Sequence, residues 1–271
     1  GSGTVEAPFY YLRNTDAYAL SQCKGKIVMI DGYLGYWMYQ DILENGAVGF
    51  VTYDGNANYC DRDIDQRELR SFVHKGNKIP GVNINAKDAV SLIEADAKEA
   101  PIRLQQNEYK GESHNVVLEM PGEIPETIVF TAHYDTTSLS QGSYDNMSGS
   151  IGLLGIAEHF AKAPHRYSLR FVWCGAEEIG LLGSIAYVDQ NPELIEKEIK
   201  FCFNFDMCGT ILGPNSIFVT GSKELLDFAA LFCKEKGYSA DLKPIVHSSD
   251  SAPFADRGIP ALGLSRGTQT S

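Results

Sequence analysis

Hydrophobic and polar positions fall into short blocks along this chain, and each block predicts an element. "GKIVMID" (25–31) is a continuous apolar run, the pattern of a strand buried on both faces. "YQDILENGAVGFVTYDG" (39–55) reads as a helix closed by Gly46, then a second strand ended by a turn. "DRDIDQRELRSFVHKGNK" (61–78) is polar and reads as a loop or irregular excursion. "IPGVNI" is a short strand, and "AKDAVSLIEADAKEA" is helical by the spacing of Ala89, Leu92, Ile93 and Ala97, after which Pro101 breaks the chain. "IRLQQNEYKGESHNVVLEMPG" (102–122) has the look of extended strands with turns.

Beyond Gly122 strand and helix patterns alternate. "ETIVFTAHYD", "YSLRFVWCGAEE", "EIKFCFNFDM" and "IPALGLS" are strand-like. Between them lie the helical "MSGSIGLLGIAEHFAKA", with Ser148 as N-cap and Pro164 beyond its end, "IGLLGSIAYVDQ" and "SKELLDFAALFCKEKG". Such alternation predicts an α/β fold with a mostly parallel central sheet. No internal repeat or low-complexity tract interrupts it.

Composition narrows the class. The chain has 271 residues, enough for one large domain or two smaller ones. A net charge of -12 argues against nucleic acid or an anionic membrane as partner. No apolar run approaches a membrane span, and no signal peptide is expected within these residues. The opening Gly-Ser-Gly has the look of a cloning remnant, so the native start is expected to be missing. Six cysteines show neither a CxxC pair nor zinc-finger spacing, and Cys174 and Cys202 are expected as buried free thiols. The compartment stays open, with a secreted or cell-envelope setting favoured over the cytoplasm.

Three of the apolar runs end in metal-type ligands. One ends in His133 and Asp135, one in Glu177 and Glu178, and one in Asp206. Open α/β sheets bind ligands at the carboxyl ends of their strands, so parallel strands would deliver these groups to one edge. Asp145 lies just before a helix in the Gly/Ser-rich "GSYDNMSGS". Four acids and an imidazole cannot crowd together without compensating charge. A divalent cation supplies it, and nitrogen with carboxylate oxygen suits Zn²⁺. Each piece alone has a plainer reading. His-x-Asp is a weak signal, paired glutamates are common on solvated helices, and Asp206 could cap a helix.

Taken in order, "AHYDT", "YDNMSGS", "GAEEIGLLGS", "NFDMCG" and "GIPALGLS" resemble the di-zinc aminopeptidases of metallopeptidase family 28. The resemblance covers roughly 115–264. The region before it is similar to a protease-associated domain. These resemblances imply a zinc-exopeptidase-like three-layer αβα catalytic domain over 106–271, and a smaller α+β, β-rich protease-associated domain over 1–105. They also imply that the smaller domain borders the active-site cleft. Residue by residue, His133 resembles the first zinc's imidazole ligand and Asp135 the carboxylate that orients it. Asp145 resembles the bridging ligand, with a cis peptide after it. Glu178 resembles a ligand of the second zinc, Asp206 a ligand of the first, and Glu177 the general base. The implied activity is zinc-dependent release of N-terminal residues from peptides with a free N-terminus.

Two departures from the family pattern stand out. Its second zinc takes a further histidine one to two dozen residues beyond "GIPALGLS", and this chain has none there, so its C-terminus is expected to be truncated and its second site weak. A tyrosine usual before a Ser-Asp pair is absent from "PIVHSSDSAPF". His247 stands close to that place, as oxyanion donor, replacement ligand or ordinary loop histidine. His74, His114, His159 and His165 are expected at the surface or in packing. Relatives of the transferrin receptor keep the fold without the metal, so a non-catalytic binding protein stays open. So do a dipeptidase and glutamate-carboxypeptidase or glutaminyl-cyclase types.

Overall fold

A computed structural model describes residues 3–267, apart from 33, 57, 62, 63, 65–68, 70, 108 and 109. The chain divides into two compact units, 1–111 and 112–271.

Unit 1 begins with β1 (Gly3–Leu12), α1 (Ala17–Ser21), β2 (Ile27–Ile30) and α2 (Tyr36–Glu44). It continues through β3 (Gly49–Asp54), α3 (Ser71–His74), β4 (Gly81–Asn85), α4 (Ala86–Glu94) and β5 (Glu99–Leu104). Its sheet runs β4-β3-β2-β1-β5, with all neighbours parallel except β1 and β5. Every residue of β2 is buried, as its unbroken apolar run predicts. Val28 and Ile30 face a core with Tyr39 and Ile42 of α2, while Ile27 and Met29 face one with Ala89 of α4. Helices therefore cover both faces of this sheet. Pro101 does not break the chain: it sits within β5, an edge strand where a missing amide hydrogen is tolerated. The α4 helix stops short of Ala97, because Asp96 takes a left-handed φ of 49°. In the polar 61–78 stretch, expected as a loop or irregular excursion, 62, 63, 65–68 and 70 lie outside the described residues, and Ser71–His74 is a short helix.

Unit 2 comprises β6 (Val116–Met120), β7 (Ile124–His133), α5 (Met147–Phe160), β8 (Tyr167–Cys174), α6 (Leu182–Gln190) and α7 (Pro192–Lys197). These are followed by β9 (Ile199–Phe205), β10 (Asn215–Thr220), α8 (Lys223–Lys236), β11 (Ala240–Lys243), α9 (Ala252–Ala255) and β12 (Ala261–Arg266). The sheet order is β11-β10-β12-β9-β7-β8-β6, and only β6–β8 and β10–β12 are antiparallel. Side chains alternate across it as strand geometry requires. Val129, Val172 and Cys202 pack with Tyr187, Ile195 and Phe254 from α6, α7 and α9 on one face. Phe130, Ala132 and Phe171 pack with Leu153 and Ala157 of α5 on the other. This is the three-layer αβα arrangement with a mostly parallel sheet.

Two local expectations are corrected here. The N-cap of α5 is Asn146, whose Oδ1 accepts from Gly149 N at 2.9 Å; Ser148 lies inside the helix and its Oγ donates to Tyr144 O. The helix of the Glu177 segment starts at Leu182, because Gly180 and Leu181 adopt positive φ and hold the preceding residues in a turn. All six cysteines are free, Cys174 and Cys202 wholly buried.

Candidate metal centre

Sheet register sets this site. Thr131 of β7 lies opposite Asn204 of β9, and His133 lies opposite Cys174 of β8. His133 and Asp206 therefore leave the sheet side by side, and Glu177 follows Cys174 by one short turn. Asp145 arrives from the other direction, through the N-terminus of α5. Its neighbour Asn146 is buried and ties that helix to the end of β9: Nδ2 donates to Phe205 O at 2.9 Å, and Oδ1 also accepts from Met207 N at 3.1 Å. A Cβ on Gly149 would come within 2.2 Å of Phe205 O, so only glycine lets the helix approach this closely. The Asp145–Asn146 peptide is cis.

The acids converge on one buried imidazole. His133 Nε2 lies 3.1 Å from Asp145 Oδ1, 3.3 Å from Asp206 Oδ1 and 4.0 Å from Glu177 Oε2. Its Nδ1 lies 3.1 Å from the main-chain oxygen of Asp135. A carbonyl can only accept, so Nδ1 carries a proton toward it, and Nε2 is the nitrogen that faces the carboxylates. Two ligand groups result, His133 with Glu177 and Asp206, and His133 with Asp145 and Glu178, each with donor atoms within 4.8 Å of one another.

Asp135 has a different emphasis from the one its resemblance implies. Its carboxylate stands 3.6 Å from His133 Nδ1, a charge contact rather than a hydrogen bond. The same carboxylate accepts from Glu177 N at 3.0 Å and from Glu178 N at 3.2 Å. It therefore holds the backbone of the glutamate pair. Burial works to raise Asp135, but these bonds and His133 outweigh it and leave its pKa below the ordinary value.

Crowding is legible in the other groups. Burial, with Asp250, Asp206 and Glu178 adding, pushes Glu177 up to about 8 against the pull of His133. Burial and Asp145 raise Glu178. Burial opposes charge on His133 as well, yet its contacts with Asp135, Asp145 and Asp206 hold its pKa above the usual range. Burial works against Asp206 too, but hydrogen bonds from His133 and Ser249 keep it below the ordinary value. Asp145 Oδ1 is buried, with the His133 ring nitrogen 3.1 Å away as its near contact. Negative charge thus exceeds what one imidazole neutralises, and nitrogen with carboxylate oxygen is a zinc-type donor set. The residues fit a divalent zinc.

His247 lies outside both ligand groups. Its ring stacks on Phe218, with centroids 4.0 Å apart, and burial lowers its pKa. His74 accepts from Gly76 N through Nδ1, a packing role.

Sequence reasoning passed over the support behind Asp206. Ser249 Oγ donates to Asp206 Oδ2 at 2.7 Å and accepts from Asn204 Nδ2 at 2.8 Å; Asn204 Oδ1 accepts from Thr131 Oγ1 at 2.7 Å. All three supporting side chains are buried. Polar residues at inward positions of apolar strands, "FTAH" and "FCFNFD", were the available signal.

Comparison with known proteins bears on this geometry. The chain matches the pattern of Peptidase family M28 over residues 115–271. It belongs to that family. Aminopeptidase YwaD of Bacillus subtilis is 37% identical over 260 residues, covering 88% of this chain and 53% of that protein. Leucine aminopeptidase 2 of Trichophyton equinum is 32% identical over 167 residues, covering 57% and 34%. Among solved structures, BSAP, a zinc aminopeptidase from Bacillus subtilis, superposes with a TM-score of 0.73 at 26% identity over 98% of this chain and 66% of that one. The chain thus spans about half or less of these curated relatives.

Proposed function

We propose that this chain carries the catalytic core of a zinc-dependent aminopeptidase that releases N-terminal residues from peptides, with two zinc ions acting together. The observation that carries the reading is the convergence of carboxylates from three strand ends and a helix N-terminus on the buried imidazole of His133. Membership of the family and the names of its similar members support the same reading.

In this reading His133, Asp145 and Asp206 hold one zinc, and Asp145 and Glu178 contribute to the second. Bound zinc supplies Lewis-acid polarisation and lowers the pKa of water. Glu177, the part-buried carboxylate whose Oε2 lies 4.0 Å from His133 Nε2, takes the proton from the attacking water and delivers it to the leaving amine. Asp135 keeps the two glutamates aimed apart by gripping their amides. Ser249 fixes the carboxylate plane of Asp206. His247 belongs to neither ligand group and is left out of the donor set.

The test is a metal analysis beside a panel of aminoacyl-arylamides, with N-blocked versions as controls. Bound zinc, with hydrolysis confined to free-amine substrates, is the expected result. Equal hydrolysis of blocked substrates would remove the exopeptidase reading, and absence of bound zinc under zinc-replete conditions would remove the metal reading.

A further inference from the structure

The turn that carries Glu177 and Glu178 is held from two sides, and only one side belongs to the acid centre. Inside, Asp135 accepts both glutamate amides. Outside, Asn115 lies just before β6, a strand that contributes no ligand. Its Nδ2 donates to Gly183 O at 2.8 Å, and its Oδ1 accepts from Gly175 N at 3.1 Å. Gly175 and Gly183 are the two ends of the glutamate turn, so one carboxamide closes its neck.

The local chemistry is shaped around that carboxamide. A Cβ on Gly183 would stand 2.5 Å from Asn115 Oδ1 and 2.3 Å from Gly175 O. A Cβ on Gly175 would meet Ser113 Oγ at 2.5 Å and His114 O at 2.6 Å. Both glycines are therefore required by the close approach rather than by their own φ. Within the turn, Gly180 N and Leu181 N both donate to Glu177 O at 2.8 Å, and Leu182 N donates to Ala176 O at 3.1 Å. Ala176 and Leu181 sit at φ of 57° and 59°, left-handed conformations that side-chain-bearing residues seldom adopt. Such conformations persist where the surroundings over-determine them. Here Ser184 Oγ donates to Leu181 O at 3.2 Å, while Asn115 and Asp135 hold the residues that flank Ala176.

We propose that Asn115 is a positioning residue of the metal centre: by closing the neck between Gly175 and Gly183 it aims Glu177 and Glu178 into their separate ligand groups. This rests on the reading that the acid centre takes zinc. Without the clamp the turn relaxes, and two like-charged side chains lose the backbone geometry that separates their paths. The loss is therefore felt at the metal, although Asn115 touches neither glutamate side chain in any bond described above.

The experiment compares the unsubstituted protein, Asn115→Ala and Asn115→Asp with a control, Asn191→Ala. Asn191 makes a similar bond to a helix carbonyl, Tyr187 O at 2.7 Å, remote from the glutamate turn. Asn115→Asp keeps the size and the acceptor toward Gly175 but loses the donor toward Gly183 O. Zinc affinity is read by competition with a chromophoric chelator, folding by circular dichroism, and kcat and KM separately on an aminoacyl-arylamide. Both Asn115 variants should bind zinc about 10- to 100-fold more weakly, the range for partners that orient ligands. Their kcat should fall more than KM changes, and Asn191→Ala should match the unsubstituted protein. A folded Asn115 variant with unaltered zinc affinity and kcat overturns the proposal, as does an equal loss in Asn191→Ala. If the unsubstituted protein itself binds no zinc, the metal reading fails and the positioning role falls with it.

Discussion

In unit 1 the parallel strand β2 leads into Asp31 and β3 ends at Asp54; in unit 2 the parallel strands β7, β8 and β9 lead into His133, the Glu177–Glu178 pair and Asp206. Both sheets therefore carry acids at their carboxyl ends, where ligand sites form. In unit 1, Asp31 and Asp54 each accept from a neutral donor. Asp31 is exposed and accepts from the Tyr53 hydroxyl, and Asp54 accepts from Asn83 Nδ2 at 2.8 Å, with Thr52 bonded to the same amide. Burial and that bond to Asp31 keep the Tyr53 phenol protonated well above its ordinary range. Neither Asp31 nor Asp54 belongs to a cluster of ligand-type groups among the described residues. In unit 2 the carboxylates are half-buried or buried, share one imidazole, and push Glu177 up to about 8 through burial and mutual repulsion. A strand-end acid is thus common and cheap. Several of them, desolvated together around one nitrogen, create a charge deficit that a cation relieves.

The contrast can be broken most sharply by Glu177→Gln. It should leave zinc bound and lower turnover by about 10²- to 10⁴-fold, the contribution of a general base, while Asp31→Asn in unit 1 leaves kcat within error. Equal losses in both would erase the distinction drawn between the two edges. Glu178→Ala comes next. Atomic absorption should show zinc lost, whereas Glu177→Gln keeps the zinc content of the unsubstituted protein; equal zinc loss would mean that base and ligand have been assigned the wrong way round.

Metal removal sharpens the comparison by region. The two tryptophans report separately, Trp37 in unit 1 and Trp173 in unit 2, where its Nε1 donates to Ser150 O at 3.0 Å. Zinc at 100 times its Kd should stabilise the unit that binds it by about 2.7 kcal/mol. Chelation should shift the unfolding reported by Trp173 and leave that of Trp37 in place, measured in variants that each keep one tryptophan. Ser249→Ala should cost about 1–3 kcal/mol in denaturant unfolding, because it strands the Asn204 donor and a buried oxygen of Asp206. Tyr53→Phe, its counterpart in unit 1, should cost about 0.5–1.5 kcal/mol and leave zinc content unchanged.

Much of this was readable along the chain, because apolar runs and helical spacing are local patterns. The runs of β2, β7, β8 and β9 stand out for that reason, and so do the acids that end them. Elements held by distant partners did not. The β1 strand pairs with β5 from the far end of its unit, and β10 and β11 complete a sheet edge with little pattern of their own. The cap of α5 falls at Asn146 rather than Ser148 for the same reason. Both are good capping residues, and the deciding partners, Phe205 O and Met207 N, come from another strand.

What the sequence determined alone was the identity and order of the ligand-type residues, the α/β alternation that brings them to one edge, and the likeness to family 28. Tertiary structure decided which nitrogen of His133 faces the acids, since the Asp135 carbonyl takes the other. It decided that Asp135 grips the glutamate amides, that Ser249 and Asn204 stand behind Asp206, and that His247 stacks on Phe218 outside the ligand groups. It also brought Asn115 to the neck of the glutamate turn. The reason is one of range: periodicity and strand ends are written in neighbouring residues, whereas hydrogen-bond partners, burial and the pKa shifts they cause depend on side chains that meet only when strands far apart in the chain lie side by side.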